Sequence, residues 1–320
     1  MKTFEIVEAN PYTARTAGYD ANNPIHVQFV NFWRSTLRKK AQMSLEEAWA
    51  IFQRQGQVCA LTGKPFSFER AGNWDMISAD QINPAAGYTA NNVQFVRWCV
   101  NSVKMNMPQA SFISLCEHVL GNISTLKKVL LASTKVPPSN VASLLPGATE
   151  PVRIPTSQVW DQQITSIVSK GFNPNSTVHQ YWAQSIQGML GRQKAGIEFD
   201  IEQAWYIFHD LQQERCAYSG LPFGASIGKG FLKAAGEWTS PSPDQINPGG
   251  GYKPGNVVWV LWIINKGKSN LTLQQYVNIA KDVYSYAAHR NLQKTNTWPQ
   301  TAKDPQFYSS LDDYTQRRPK

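Results

Sequence analysis

Cysteine is scarce in this sequence and never clustered. Cys59, Cys99, Cys116 and Cys216 are its four cysteines, and no two of them form a C-x-x-C pair. That pattern excludes a disulfide framework and a structural zinc site of the usual spacing. Long apolar runs are missing too. The longest, residues 257–264, has eight residues against the ~20 that a membrane-spanning helix needs. The opening MKTFEIVEAN holds acidic residues and no apolar stretch, so no secretory signal is expected. These absences predict an intracellular protein with no membrane partner.

Acidic residues are the next shortage. Against 31 Lys and Arg stand 22 Asp and Glu, a net charge of +9. The excess divides evenly: +4 in residues 1–132, +4 in residues 133–294 and +1 in the remainder. Such a balance suits two similar surfaces facing one polyanion, with DNA expected ahead of RNA. A mildly basic charge is also common among proteins that bind no nucleic acid.

What the chain does have is a duplication. Residues 80–104 (DQINPAAGYTANNVQFVRWCVNSVK) and 244–268 (DQINPGGGYKPGNVVWVLWIINKGK) agree at 13 of 25 positions without a gap. Upstream, the segment CALTGKPF from Cys59 answers CAYSGLPF from Cys216, and AWAIF from Ala48 answers AWYIF from Ala204. The Cys-to-Asp interval is 21 residues in the first copy and 28 in the second, which puts a seven-residue insertion in the Gly- and Lys-rich stretch 224–236. The spacing far exceeds that of a solenoid repeat and predicts two tandem domains.

The expected organisation is an irregular segment over 1–25, a first domain over 26–132, a Pro-rich linker over 133–157, a second domain over 158–294, and a polar tail over 295–320. Helical pattern starts near Val27. Ser44 to Glu47 reads as a capping box, with Asp200 to Gln203 at the matching place. Each copy then runs through a short two-stranded element, a tight Asn-Pro loop and a helix. The fold class is therefore α+β, mainly helical.

Polar residues at fixed spacing carry the chemistry. Asp80 to Asn92 is twelve residues, Asn92 to Asn101 nine, and Lys104 follows three later; Asp244, Asn256, Asn265 and Lys268 repeat those intervals. An Asp at a strand end and an Asn on the next helix can converge, offering hard oxygen ligands that suit Mg²⁺ or Mn²⁺. The middle Asn would pin the loop. Bland alternatives stand beside this: the Asp could cap the Asn-Pro turn, the helical Asn could be a packing residue, and the Lys could sit on a solvated face. Cys59, Cys216 and the tryptophans read as core.

With these motifs in view, both copies resemble the HNH branch of the ββα-metal nucleases, in a variant often seen in phage-encoded proteins. The resemblance rests on C-x-x-[TS]-G-x-P and D-x-I-x-P-x-x-G-Y-x-x-x-N-V, and covers residues 59–104 and 216–268. It implies a ββα-metal motif in each domain. Asp80 and Asp244 would be the metal-binding acids, Asn101 and Asn265 the helix-borne ligands, and Asn92 and Asn256 the loop braces. Lys104 and Lys268 are candidates for phosphate contacts. Where the family has its general-base His, this chain has Gln81 and Gln245. A neutral amide cannot take a proton from water, and such a loss typically forfeits about 10²–10⁴-fold in rate. The five histidines, His26, His118, His179, His209 and His289, are not expected to occupy equivalent repeat positions.

Three functions follow as expectations. The first is a Mg²⁺- or Mn²⁺-dependent endonuclease with two impaired sites. Another is an inactive HNH-like protein that grips nucleic acid, and the third a structural subunit of a viral or ribonucleoprotein assembly. A phage source would place the chain in the cytoplasm of its host.

Overall fold

The computed structural model describes residues 18–67, 74–136, 157–191, 197–224 and 238–292. The protein is mixed α+β, about half helical, with two small two-stranded sheets. The polar tail expected over 295–320 and nearly all of the linker expected over 133–157 lie outside these residues.

Helix α1 (Pro24–Phe32) starts at Asn23, whose side chain accepts from the Ile25 amide, with proline in the first turn. It widens into a π-turn over Trp33–Leu37. The hydroxyl of Ser35 donates to the Asn31 carbonyl at 2.8 Å, competing for the acceptor of a regular helix. Helix α2 (Leu45–Arg54) opens on the capping box of Ser44 and Glu47. The second copy matches with α7 (Thr177–Gly191), then α8 (Ile201–Tyr206) behind the box of Asp200 and Gln203. Aromatic rings lock these helices together. Phe29 stacks on Phe52 with centroids 4.4 Å apart, and Trp182 meets Trp205 edge-on at 5.0 Å.

The sheets follow. In the first copy β1 (Ile77–Gln81) pairs antiparallel with β2 (Val93–Arg97), placing Asp80 opposite Gln94. In the second, β3 (Pro241–Gln245) pairs with β4 (Val257–Leu261), placing Asp244 opposite Val258. The sequence led us to expect the loop after the two strands. It lies between them, and the Cys59 segment forms only an isolated bridge, Val58 with Pro65. A third partner for β2 comes from a side chain. The Gln55 amide donates to the Phe95 carbonyl and accepts from the Phe95 amide, each at 2.9 Å, and Gln212 does the same for Trp259. Buried backbone groups must be paired, and here a glutamine substitutes for a strand. The thiol sulfurs of Cys59 and Cys216 accept from the amides of Arg97 and Leu261, which explains a buried cysteine at each of these places.

Helices α3 (Trp98–Lys104) and α9 (Trp262–Lys268) leave the strands directly, and α4 (Gln109–Gly121) and α10 (Leu273–His289) come next. Helix α5 (Ile123–Ser133) ends the described part of the first copy, and α6 (Ser157–Val168) opens the second. The copies pack on one another, α3 against α9 and α4 against α10. One buried apolar cluster runs from Cys59 through Phe112 and Trp182 to Ala287.

The packing is reciprocal. Gly63, in the turn after Cys59, lies against the Tyr286 ring, while Gly220, in the turn after Cys216, lies against Asn122. Asn122 and Tyr286 are 164 residues apart, the offset of the conserved core of the repeat. Val103 and Gly267 share that offset and meet each other, so a local two-fold axis passes between them. A Cβ on Gly267 would fall 2.6 Å from the Val103 carbonyl oxygen, a backbone atom with little room to move.

Gly267→Val is therefore expected to destabilise the protein by about 1–3 kcal/mol or more in urea unfolding, through overpacking at the axis. Gly121→Ala, where a Cβ would meet nothing within 4 Å, should be neutral or stabilise by up to about 1 kcal/mol.

Candidate functional site

Asp80 occupies a buried position on β1, 3% exposed, facing the helix that follows the sheet. Buried polar atoms need partners, and the carboxylate has one on each oxygen. Oδ1 accepts from the Lys104 ammonium at 2.9 Å and Oδ2 from the Gln94 amide at 2.8 Å. The Lys104 ammonium also donates to the Gln81 carbonyl at 2.7 Å. One turn earlier on α3, the Asn101 amide donates to Ser78 Oγ at 2.7 Å and to the Ala79 carbonyl at 3.1 Å. Two side chains of a single short helix thus clamp strand β1 along four residues.

The second copy repeats the clamp. Lys268 donates to Asp244 Oδ1 at 3.1 Å and to the Gln245 carbonyl at 2.7 Å, and Asn265 to Ser242 Oγ and the Pro243 carbonyl. The second carboxylate oxygen is served differently. Tyr218 donates its phenol to Asp244 Oδ2 at 2.6 Å, because Val258 stands where the first copy has Gln94. Tyr218 in turn aligns with Leu61. The two copies have therefore exchanged donor and apolar residue between these positions, keeping the acceptor satisfied.

Electrostatics follow from burial. Burial pushes the carboxyls of Asp80 and Asp244 above the ordinary range, while the ammoniums of Lys104 and Lys268 and the hydrogen bonds pull them back. The phenol of Tyr218 is pushed well up by burial and by the Asp244 charge, so it remains a donor at neutral pH.

Asn92 braces the loop as a hub. Its oxygen accepts from the Asn83 amide at 2.9 Å, and its nitrogen donates to the carbonyls of Asn83 and Gly87 at 2.7 and 2.6 Å. Asn256 makes the matching bonds to Asn247 and Gly251. The side-chain oxygen of Gln245 accepts from the Gly249 amide at 3.0 Å, so in the second copy the residue after the aspartate also serves the loop.

Lys104 and Lys268 have no exposed surface and present no charge to a phosphate, unlike the expectation from sequence. Their stems are walled by the cores that α3 and α9 enter. The residues expected to hold Mg²⁺ or Mn²⁺ do not fit that role in this arrangement. A cation supplied by the chain already sits on each Asp, and the other carboxylate oxygen is filled by an amide or a phenol. A second positive charge there would be repelled at close range. Among the described residues no group of three or more His, Cys, Asp or Glu could hold a metal ion.

Histidine does not join either cluster. Neither Asp80 nor Asp244 has a histidine among its side-chain partners. His209 Nδ1 and His179 Nε2 both lie on Glu214 Oε1, at 2.7 and 3.0 Å. One expectation is corrected here, since His26 and His179 are equivalent. Each Nδ1 accepts from the amide six residues earlier, Asp20 or Asn173, and each ring meets Trp49 or Trp205 edge-on. The available signal was a short match, residues 18–26 (GYDANNPIH) against 171–179 (GFNPNSTVH), with glycine, asparagine and histidine at the same intervals.

Gln94, Tyr218, Ser78 and Ser242 were missed from sequence. The reciprocal Leu61/Tyr218 and Gln94/Val258 exchange was the available signal. No family model matches the chain, and neither a curated protein nor a solved structure matches it.

Lys104→Met should cost about 3–5 kcal/mol in chemical denaturation, because it leaves a buried carboxylate uncompensated. Gln94→Val alone should cost about 1–3 kcal/mol for the unpaired Oδ2. Adding Leu61→Tyr, which copies the second half's solution, should recover part of that loss in the same measurement.

Proposed function

We propose that this chain is a nucleic-acid-binding protein built on two HNH-like ββα modules that do not cleave. One observation carries the proposal: in both copies a lysine ammonium of the following helix occupies the aspartate that a divalent ion would need. Gln81 and Gln245, at the position of the family's general base, point the same way, since an amide takes no proton from water. With neither Lewis acid nor base, the modules retain the scaffold of the nuclease motif and lose its chemistry.

The nucleic-acid partner is supported by the net charge of +9 and its even division between the halves. A polyanion bound through Lys and Arg releases counterions, so affinity must fall steeply with salt. DNA is the favoured partner, and the inside of a cell the expected place of action.

Two measurements test this. Supercoiled plasmid incubated with Mg²⁺ or Mn²⁺ should stay supercoiled, whereas a labelled duplex should bind with an affinity that drops tenfold or more between about 50 and 200 mM salt. Plasmid relaxation that disappears in Asp80→Ala/Asp244→Ala would establish the endonuclease instead. Binding indifferent to salt, or none at low salt, would remove nucleic acid as the partner.

A further inference from the structure

The Asp80 and Asp244 sites are internal, so a nucleic acid needs another surface. The π-turn of the first copy offers one. Residues 34–40 hold four cations, Arg34, Arg38, Lys39 and Lys40, and residues 21–45 contain no Asp or Glu. All four are exposed. Five other cations are engaged within the fold: Lys64 on Asp282, Lys170 on Glu202, Arg97 on Asp75, and Lys104 and Lys268 internally. Arg34, Arg38 and Lys39 have no ion pair or hydrogen bond from their side chains among the described residues.

The local backbone aligns them. The Arg38 amide bonds the Trp33 carbonyl, five residues back, so residues four and five apart stack along one face. Trp33 and Leu37 face the core at 6% and 1% exposure. That directs Arg34, Arg38 and Lys39 outward, with the exposed Ser35 and Thr36 between them. The chain then reaches Gln42, whose amide bonds the Tyr88 carbonyl at 2.8 Å, inside the loop that Asn92 braces. The cationic face is thus anchored beside the loop that carries the HNH-like signature.

The geometry points to this face as the seat of a phosphodiester backbone. Guanidinium forks and an ammonium in a row, with hydroxyls interleaved, match regularly spaced phosphate oxygens. The exposed residues of the turn are all polar, so it has nothing to insert into a lipid surface. In the second copy Gln187 stands eight residues after His179, where Arg34 stands eight after His26, so the charge at that position belongs to the first copy alone. This inference rests on the nucleic-acid reading above and adds the surface.

The test uses the full chain and a fluorescent duplex, with anisotropy read across a salt series. Arg34→Gln/Arg38→Gln/Lys39→Gln should weaken binding about tenfold or more near 100 mM salt. It should also make the log–log salt slope shallower by about 2–3, since each lost phosphate contact contributes ~0.9. Circular dichroism and melting should be unchanged, because none of the three side chains makes a contact that holds the fold. Lys127→Gln/Lys128→Gln, on the exposed side of α5, is the comparison and should keep nearly the full affinity and slope. Unchanged binding in the triple variant, or equal losses in both variants, would overturn the assignment of this surface and leave nucleic-acid binding intact. No binding by the unaltered protein would overturn both. Binding to anionic vesicles that competes with the duplex and is lost in the triple variant would make the face a general polyanion site and overturn its specificity for nucleic acid.

Discussion

A carboxylate without solvent, bonded to an ammonium without solvent, holds each half of this protein together. Removing both charges from water costs several kcal/mol per ion, and close pairing with full hydrogen bonding is what offsets it. Both conditions are met twice. Oδ1 of each Asp meets a lysine, Oδ2 meets an amide or a phenol, and the lysine takes a strand carbonyl as well. Since Lys and Asn on one short helix reach four successive groups of strand β1, the helix cannot slide or rotate relative to the sheet without breaking several of these bonds. The pair fixes register, and that role explains why two halves with different flanking residues keep the same four polar positions.

That fixed ββα unit is also what the halves present to each other. Helices α3 and α9 carry the lysines on one side and meet across the local two-fold axis on the other. The axis needs one small residue, which Gly267 supplies opposite Val103. Around it, each half lends its Gly-containing turn to the other half, Gly63 to Tyr286 on α10 and Gly220 to Asn122 at the junction of α4 and α5. The charge pair and the axis are therefore two faces of the same helices, and a disturbance of one is transmitted to the other through the rigid core.

In the proposed reading, loss of metal chemistry and gain of rigidity are linked by the same substitution of cations. A divalent ion is exchangeable and needs an open coordination position; a tethered ammonium is neither released nor able to activate water. The proposed function assigns binding to the exterior, where exposed arginines and lysines act by charge rather than by coordinated geometry. The second half shows a parallel shift at the Gln245 position, where the side chain closes the loop by accepting from Gly249.

The duplication, the capping boxes at Ser44 and Asp200, and the loop asparagines Asn92 and Asn256 were legible in the sequence, because each rests on short-range spacing that either copy restates for the other. What was illegible involves partners distant in the chain. Gln55 and Gln212 complete strands 40 and 47 residues away, and Tyr218 reaches Asp244 across 26 residues. The same limit governed the site. Sequence alone determined that Asp, Asn and Lys recur at fixed intervals, and so must act together. Only tertiary structure decided that the lysine turns inward onto the aspartate, because a side chain's direction depends on the packing of the helix that carries it and not on its position in the chain.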